Sequence, residues 1–118
     1  MLALAAGATA LLAFKTPEER GKDLFERRCS GCHARDIDKE GPRLRGVYGR
    51  VAGSVADFEY SDALKKKAVR WDESSLDQWL TDPDAMAPGT DMALRMTDRD
   101  ERKAVIAYLK SLVSEAPR

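Results

Sequence analysis

Cysteine and histidine are almost absent from this sequence of 118 residues. Cys29 and Cys32 are the two cysteines, and the single histidine, His33, directly follows the second of them. Two cysteines are too few for the disulfide framework of a small secreted domain. A structural zinc site needs four protein ligands and a catalytic zinc site needs three. Cys29, Cys32 and His33 supply at most three, and the chain has no other cysteine or histidine. The scarcest reactive side chains are therefore concentrated in one short segment.

An excess of charge is also missing. Basic and acidic residues number 20 each, so the formal net charge is +0. This argues against nucleic acid as a partner, because phosphate binding needs a basic excess or a basic face. The run Lys65-Lys66-Lys67 is interpreted as a solvated helix face. Hydrophobic residues make up 43% of the chain and charged residues 34%, which is typical of one folded domain and excludes disorder as the default.

No alternating pattern long enough for a β-strand is present, and helical spacing takes its place. Thr16 and Glu19 form a capping-box pattern, with Pro17 suited to the first helical position. Thr97 and Asp100 form a similar start before the last helix. The predicted helices run from Pro17 to about Cys29, over residues 61–67, from the Asp72 cap to about Asp82, and from about Asp98 to Val113.

Long loops over residues 34–57 and 85–96 separate these helices. The dipeptide Asp82-Pro83 ends the third helix, because a residue before proline avoids the helical region. The pattern predicts an all-α domain. Long ordered loops in a small domain need something to pack on, and a planar cofactor would provide it.

The start of the chain carries an apolar run without charge, residues 1–14. At about 1.5 Å per residue this run is shorter than the ~30 Å hydrocarbon core of a membrane. Its length is typical of a secretory signal, and Ala8-Thr9-Ala10 has the pattern of a cleavage site. The alternatives are an uncleaved anchor and a packed N-terminal helix. We expect residues 1–14 to be a signal-like or anchor segment and residues 15–118 to form a single domain.

The segment Cys29-Ser30-Gly31-Cys32-His33 predicts covalent attachment of one haem. Two thiols at a helix end can each form a thioether with a haem vinyl group, and the adjacent histidine then ligates the iron. A thioredoxin-like redox pair would need a βαβ context, and a disulfide across so short a loop would gain little stability. Haem c fits an export signal, since it is attached outside the cytoplasm.

The second axial ligand is Met, Lys, water or nothing, because there is no second histidine. Methionine is favoured, since His/Met ligation is typical of electron-carrying c haems. Met92 follows the turn-forming segment Pro88-Gly89-Thr90-Asp91 and is the expected ligand. Met86 and Met96 are the alternatives, and a methionine without this role would be core filler.

With these motifs in this order, the sequence resembles the class I cytochrome c family, closest to its mitochondrial-like and bacterial soluble members. The resemblance covers about Gly21 to Leu112 and implies the cytochrome c fold, with three to five helices and long loops around one covalently bound haem. It also implies that α-helices at the two ends of the domain cross at Gly21 and Phe25 on one side and Val105 and Tyr108 on the other.

The same resemblance implies roles for single residues. The carbonyl of Pro42 would accept a hydrogen bond from His33, which orients the ligand. Arg50, Tyr60 and Trp71 would lie at the haem propionates. The implied cofactor-binding set is Cys29, Cys32, His33, Pro42, Arg50, Tyr60, Trp71, Thr90 and Met92, with His33 and Met92 as metal ligands and no catalytic residue.

The sequence also departs from the family pattern. Trp79 stands where many members have a tyrosine beside the methionine, and Leu64 replaces a polar residue. Mitochondrial members ring the haem edge with lysines, whereas this chain has Asp84 and Asp91 there, with Arg28 as the main remaining cation. We therefore expect docking to depend less on cationic steering.

The implied function is one-electron transfer in a respiratory chain or between other redox partners, such as a cytochrome bc complex and an oxidase. With both axial positions filled, the iron cannot bind substrate, so a carrier is expected and not an enzyme. The expected protein is a periplasmic or otherwise exported monomer that touches a membrane only if residues 1–14 remain as an anchor. The alternatives are a peroxidase or ligand-binding haem protein with a labile Met92, and a module that feeds a fused oxidoreductase.

Overall fold

The computed structural model describes residue 7 and residues 14–115, and five helices form within them. They are α1 (Pro17–Arg28), α2 (Asp62–Lys65), α3 (Glu73–Thr81), α4 (Pro83–Met86) and α5 (Arg99–Ser114). No β-strand forms in this part of the chain, where only an isolated bridge pairs Val51 with Arg70. The all-α architecture with long loops is confirmed. The expected leader, residues 1–14, lies outside the described residues apart from Gly7 and Phe14.

The crossing of α1 and α5 is the main helix contact. Gly21 lies against the backbone of Ala104, where a methyl group would come within 1.9 Å of the carbonyl oxygen. The rings of Phe25 and Tyr108 pack beside this point, with centroids 5.4 Å apart. The missing side chain of Gly21 is what lets the two helices approach so closely, and the crossing fixes the end of α1 that carries the cysteines.

The helix caps explain where the helices begin, and they correct one expectation. Thr16 Oγ1 accepts from the Glu19 amide at 3.2 Å, as expected for the start of α1. At α5, however, the cap is Asp98, whose Oδ1 accepts from the amides of Asp100 and Glu101 at 2.8 and 3.0 Å. The prediction of Thr97 as the cap was wrong by one residue, because the carboxylate of Asp98 satisfies two free amides at once.

The expectation of an irregular loop over residues 85–96 was wrong for residues 85 and 86, which belong to helix α4. Asp82 leaves the helical region with φ −162° and ψ 95°, which ends α3 as predicted. The same residue then caps α4, with Oδ1 3.3 Å from the Ala85 amide, and Pro83 occupies the first turn. Proline thus both stops one helix and starts the next.

The long segment between α1 and α2 is held against α5 by two arginines. Arg35 Nη1 donates to the hydroxyl of Tyr108 at 2.8 Å. Arg45 pairs with Asp36 at 2.6 Å and donates to the carbonyl of Leu112 at 3.3 Å, near the end of α5. These contacts fix the loop that follows His33. Within the described ranges, no helix has the length and apolar character needed to cross a bilayer.

Candidate functional site

A cavity of about 620 Å³ opens between α1, α3, α5 and the two long loops. Its size is in the range of small-molecule and cofactor clefts. Apolar side chains from three helices form much of its wall, among them Phe25, Leu76 and Leu109. The residues expected to bind the cofactor all line it: Cys29, Cys32, His33, Pro42, Arg50, Tyr60, Trp71, Thr90 and Met92.

The two cysteines follow the last turn of α1 and differ in environment. Cys29 is buried, and burial raises the pKa of its thiol to about 11. Cys32 is exposed, and its thiol donates to Glu40 Oε2 at 3.4 Å, a hydrogen bond that raises the pKa of Cys32. Neither cysteine is in a disulfide. Two thiols on the wall of one cleft fit the two thioether bonds of a c-type haem.

The imidazole of His33 is held by the loop that follows it. Nδ1 lies 2.8 Å from the carbonyl oxygen of Pro42. Since a carbonyl can only accept, Nδ1 carries the proton and Nε2 keeps its lone pair free for a metal. Burial lowers the pKa of His33, against the opposing effect of the Pro42 hydrogen bond. The neutral ring is the form that ligates iron.

The three candidate methionines are separated by their positions. Met92 lines the cavity that His33 lines, whereas neither Met86 nor Met96 does. Met96 is 0% exposed within the hydrophobic core, so it has the role of core filler. The turn before Met92 depends on Gly89, whose φ of 89° is available to glycine at no steric cost. Its amide donates to Asp84 Oδ1 at 3.0 Å, which closes the loop.

Trp79 contacts the sulfur of Met92. The indole Nε1 donates to Sδ at 3.2 Å, so this thioether is its acceptor. Trp79 is 7% exposed, and its ring packs edge-on against Trp71 with centroids 5.3 Å apart. A buried indole N–H needs an acceptor. Trp79 therefore supplies a hydrogen bond to the candidate ligand at the position where many family members have tyrosine.

Arg50, Tyr60 and Trp71 lie on the polar part of the wall. The guanidinium of Arg50 donates to the Arg43 carbonyl at 3.0 Å, and burial lowers its pKa. The ion pairs found among the described residues do not include Arg50. The hydroxyl of Tyr60 accepts from the Val55 amide at 3.0 Å, which leaves its own proton available. A partly buried cation beside a free hydroxyl donor suits a carboxylate such as a propionate.

The solvent-exposed lining of the cleft carries more negative than positive side chains. Glu40, Glu59 and Asp91 are exposed there, and Arg28 is the exposed cation. Arg28 itself lies 3.6 Å from a carboxylate oxygen of Glu101, which offsets its charge. Among the exposed side chains that line the cleft, the charge is therefore neutral to acidic, and Lys66 and Lys67 line a neighbouring pocket that shares Asp91.

Competing metal sites find no support in this geometry. Over residue 7 and residues 14–115, no group of three or more His, Cys, Asp or Glu side chains is placed to hold a metal ion.

Two residues of the site were missed in the sequence-derived set. Trp79 was identified only as a departure from the family pattern, and its bond to Met92 joins residues 13 positions apart. Gly41 lies directly against the ring of His33. The doublet Gly41-Pro42 was a signal for this contact, but the sequence placed Gly41 only within the long loop over residues 34–57.

Comparison with known proteins gives one consistent result. Residues 18–113 match the family model described as cytochrome c. A cytochrome c from Euglena viridis is 42% identical over 97 residues, which covers 80% of this chain and 95% of that protein. A cytochrome c2 iso-2 from Magnetospirillum fulvum is 44% identical over 87 residues, covering 71% and 91%. The solved structure of cytochrome cH from Methylobacterium extorquens superposes with a TM-score of 0.74 at 41% identity, covering 78% of this chain and 95% of that one.

Proposed function

Because the chain belongs to the cytochrome c family, we propose that it is a monohaem one-electron carrier whose iron is ligated by His33 and Met92. Membership implies a covalently bound haem c and electron transport. The observation that carries the finer proposal is that both candidate ligands line the one cavity that also contains the two cysteine thiols. The haem supplies an iron that gains and loses one electron when bound.

The protein's own residues hold this cofactor and control its surroundings. Cys29 and Cys32 would hold the haem through two thioethers, each made by adding one S–H across one vinyl group without net oxidation. Pro42 keeps the His33 ring in the tautomer that ligates iron. Apolar side chains such as Leu76 and Leu109 exclude water, which keeps the change in solvation on electron transfer small.

The polar residues of the wall bind the propionates in this proposal. Arg50 supplies a cation, and Tyr60 supplies a hydroxyl donor. Trp71 supplies an indole N–H, and Thr90 lines the same wall. Such donors offset the free-energy cost of burying a carboxylate, which is about 3–5 kcal/mol.

If His33 and Met92 both ligate the iron, no position would remain for a substrate, so we propose outer-sphere electron transfer and no enzymatic activity. The neutral to acidic edge formed by Glu40, Glu59 and Asp91 favours redox partners whose docking face is not acidic. We further propose that residues 15–118 form one domain, monomeric in solution. Residues 1–14 direct export to the periplasm, where a cytochrome bc complex and an oxidase are suitable partners.

The ligand assignment is tested by comparing methionine variants of the haem-loaded protein. Met92→Ala should abolish the Met–iron charge-transfer band and admit cyanide or carbon monoxide rapidly. Met86→Ala, at a partly buried position that does not line the cleft, is the matched control and should keep the band. An unchanged spectrum in Met92→Ala would refute His/Met ligation. Rapid ligand binding by the unmodified protein would instead favour a peroxidase or ligand-binding haem protein.

A further inference from the structure

Gly41 lies against the face of the His33 imidazole more closely than any side chain allows. A methyl group built on Gly41 would come within 2.2 Å of Cε1, 2.6 Å of Nδ1 and 2.7 Å of Nε2 of that ring. Carbon atoms in proteins do not approach so closely, since packed interiors already sit at van der Waals contact. Either the ring or the backbone at residue 41 would have to move if glycine were replaced.

The backbone at this position is tied on both sides. The amide of Gly41 donates to the Cys32 carbonyl at 2.8 Å, and its own carbonyl accepts from the Lys39 amide at 2.9 Å. Residue 42 then presents the carbonyl that accepts from His33 Nδ1 at 2.8 Å. A shift of this backbone would therefore disturb contacts to the haem-attachment segment itself.

We propose that Gly41 is a positioning residue for His33, one that fixes the plane of the imidazole by leaving the ring face in direct contact with the main chain. This inference rests on the proposed role of His33 as an iron ligand and adds a second determinant of its orientation. Pro42 sets the ring through a hydrogen bond at its edge, and Gly41 sets it through contact at its face. An unligated ring could swing away from a new side chain, but a ring bonded to iron cannot.

The chain offers a matched control in Gly31, inside the attachment segment. A methyl group built on Gly31 meets nothing within 4 Å. Neither Gly31 nor Gly41 has a positive φ, so alanine is compatible with the backbone at both positions. The substitutions Gly41→Ala and Gly31→Ala thus differ in what the added methyl group contacts.

The test compares haem-loaded Gly41→Ala and Gly31→Ala with the unmodified protein, by reduction potential and by the low-spin ferric signal in electron paramagnetic resonance. We expect Gly41→Ala to raise the potential, because displacement weakens the Pro42 hydrogen bond and makes His33 a poorer donor to ferric iron. Its low-spin signal should shift as well, whereas Gly31→Ala should change neither. A potential and signal in Gly41→Ala equal to those of Gly31→Ala would overturn the proposal.

A second pair of variants covers the case in which Gly41→Ala folds poorly. The unfolding midpoint of haem-loaded His33→Ala is compared with that of His33→Ala/Gly41→Ala, where the imidazole is gone. Gly41→Ala should lower the unfolding midpoint of the unmodified protein, and we expect at least half of this decrease to disappear in the His33→Ala background. An equal loss in both backgrounds would show that Gly41 serves the backbone alone. If the unmodified protein itself holds no haem, the proposed function fails and not this inference alone.

Discussion

Replacing Trp79 with phenylalanine tests how the protein tunes its candidate iron ligand. The substitution keeps an aromatic ring against Trp71 and removes the indole N–H that lies 3.2 Å from Met92 Sδ. Thioether sulfur has a second lone pair, so this hydrogen bond can persist while the first lone pair ligates iron. The positive end of the N–H dipole near the ligand favours the reduced state, which carries one positive charge less. We therefore expect Trp79→Phe to lower the reduction potential.

The magnitude follows from the strength of the bond. A neutral hydrogen bond contributes about 0.5–1.5 kcal/mol, and sulfur is a weak acceptor, so about 0.5–1 kcal/mol is reasonable here. For a one-electron couple a tenfold change in equilibrium, about 1.4 kcal/mol, equals about 59 mV. If the whole bond energy distinguishes the two oxidation states, the potential falls by roughly 20–45 mV.

The assay is a spectroelectrochemical titration of the haem-loaded variant, with the Met–iron charge-transfer band followed in the ferric state. Tyr48→Phe is a suitable control because it also removes one polar group from an aromatic residue, at a partly buried position that does not line the cleft. Its potential should stay near that of the unmodified protein. A Trp79→Phe potential that is unchanged or higher, with an unaltered charge-transfer band, would refute the reasoning.

Three further predictions concern stability and docking. Gly21→Ala should lower the free energy of unfolding by about 1–3 kcal/mol or more in a denaturant titration, because its methyl group would lie 1.9 Å from the Ala104 carbonyl oxygen. The control Lys22→Ala, on the exposed side of α1, should have little effect. Equal stabilities of these two variants would contradict the close crossing of α1 and α5. Tyr108→Phe should cost about 0.5–1.5 kcal/mol in the same titration through loss of the Arg35 hydrogen bond, and no loss would show that this bond is not maintained in solution. Asp91→Lys should speed electron transfer to a partner with an acidic docking face and make that rate fall more steeply with salt in stopped-flow measurements, whereas an unchanged salt dependence would place docking elsewhere.

The sequence predicted the larger helices well because their signals are local. Spacing and caps located α1, α3 and α5 to within one or two residues of their observed ends. Helix α4 was missed, since Asp82-Pro83 carries the stop signal of one helix and the start signal of the next in the same two residues. Thr97 and Asp98 are adjacent and both are suitable caps for α5. Which of them is the cap depends on the backbone angles at each residue, and the sequence does not show these angles.

The candidate site shows a similar division. The attachment segment could be predicted because its residue types and spacing suit haem attachment, and Met92 was predicted from the turn-forming segment before it and from the family resemblance. The bond from Trp79 to Met92 could not, because it depends on how α3 packs against a loop that follows it. The contact between Gly41 and His33 was equally hidden, since a glycine in a loop indicates a turn and not the ring that lies against it.

One haem bound covalently through Cys29 and Cys32 is the central feature of the proposed function. Intact mass spectrometry of the purified protein, produced from the full sequence in a host that attaches haem c, tests this most directly. After denaturation and acid extraction of free haem, we predict a polypeptide that retains the mass of one haem, with that mass lost in Cys29→Ala/Cys32→Ala. A polypeptide that carries no haem after extraction would contradict the account.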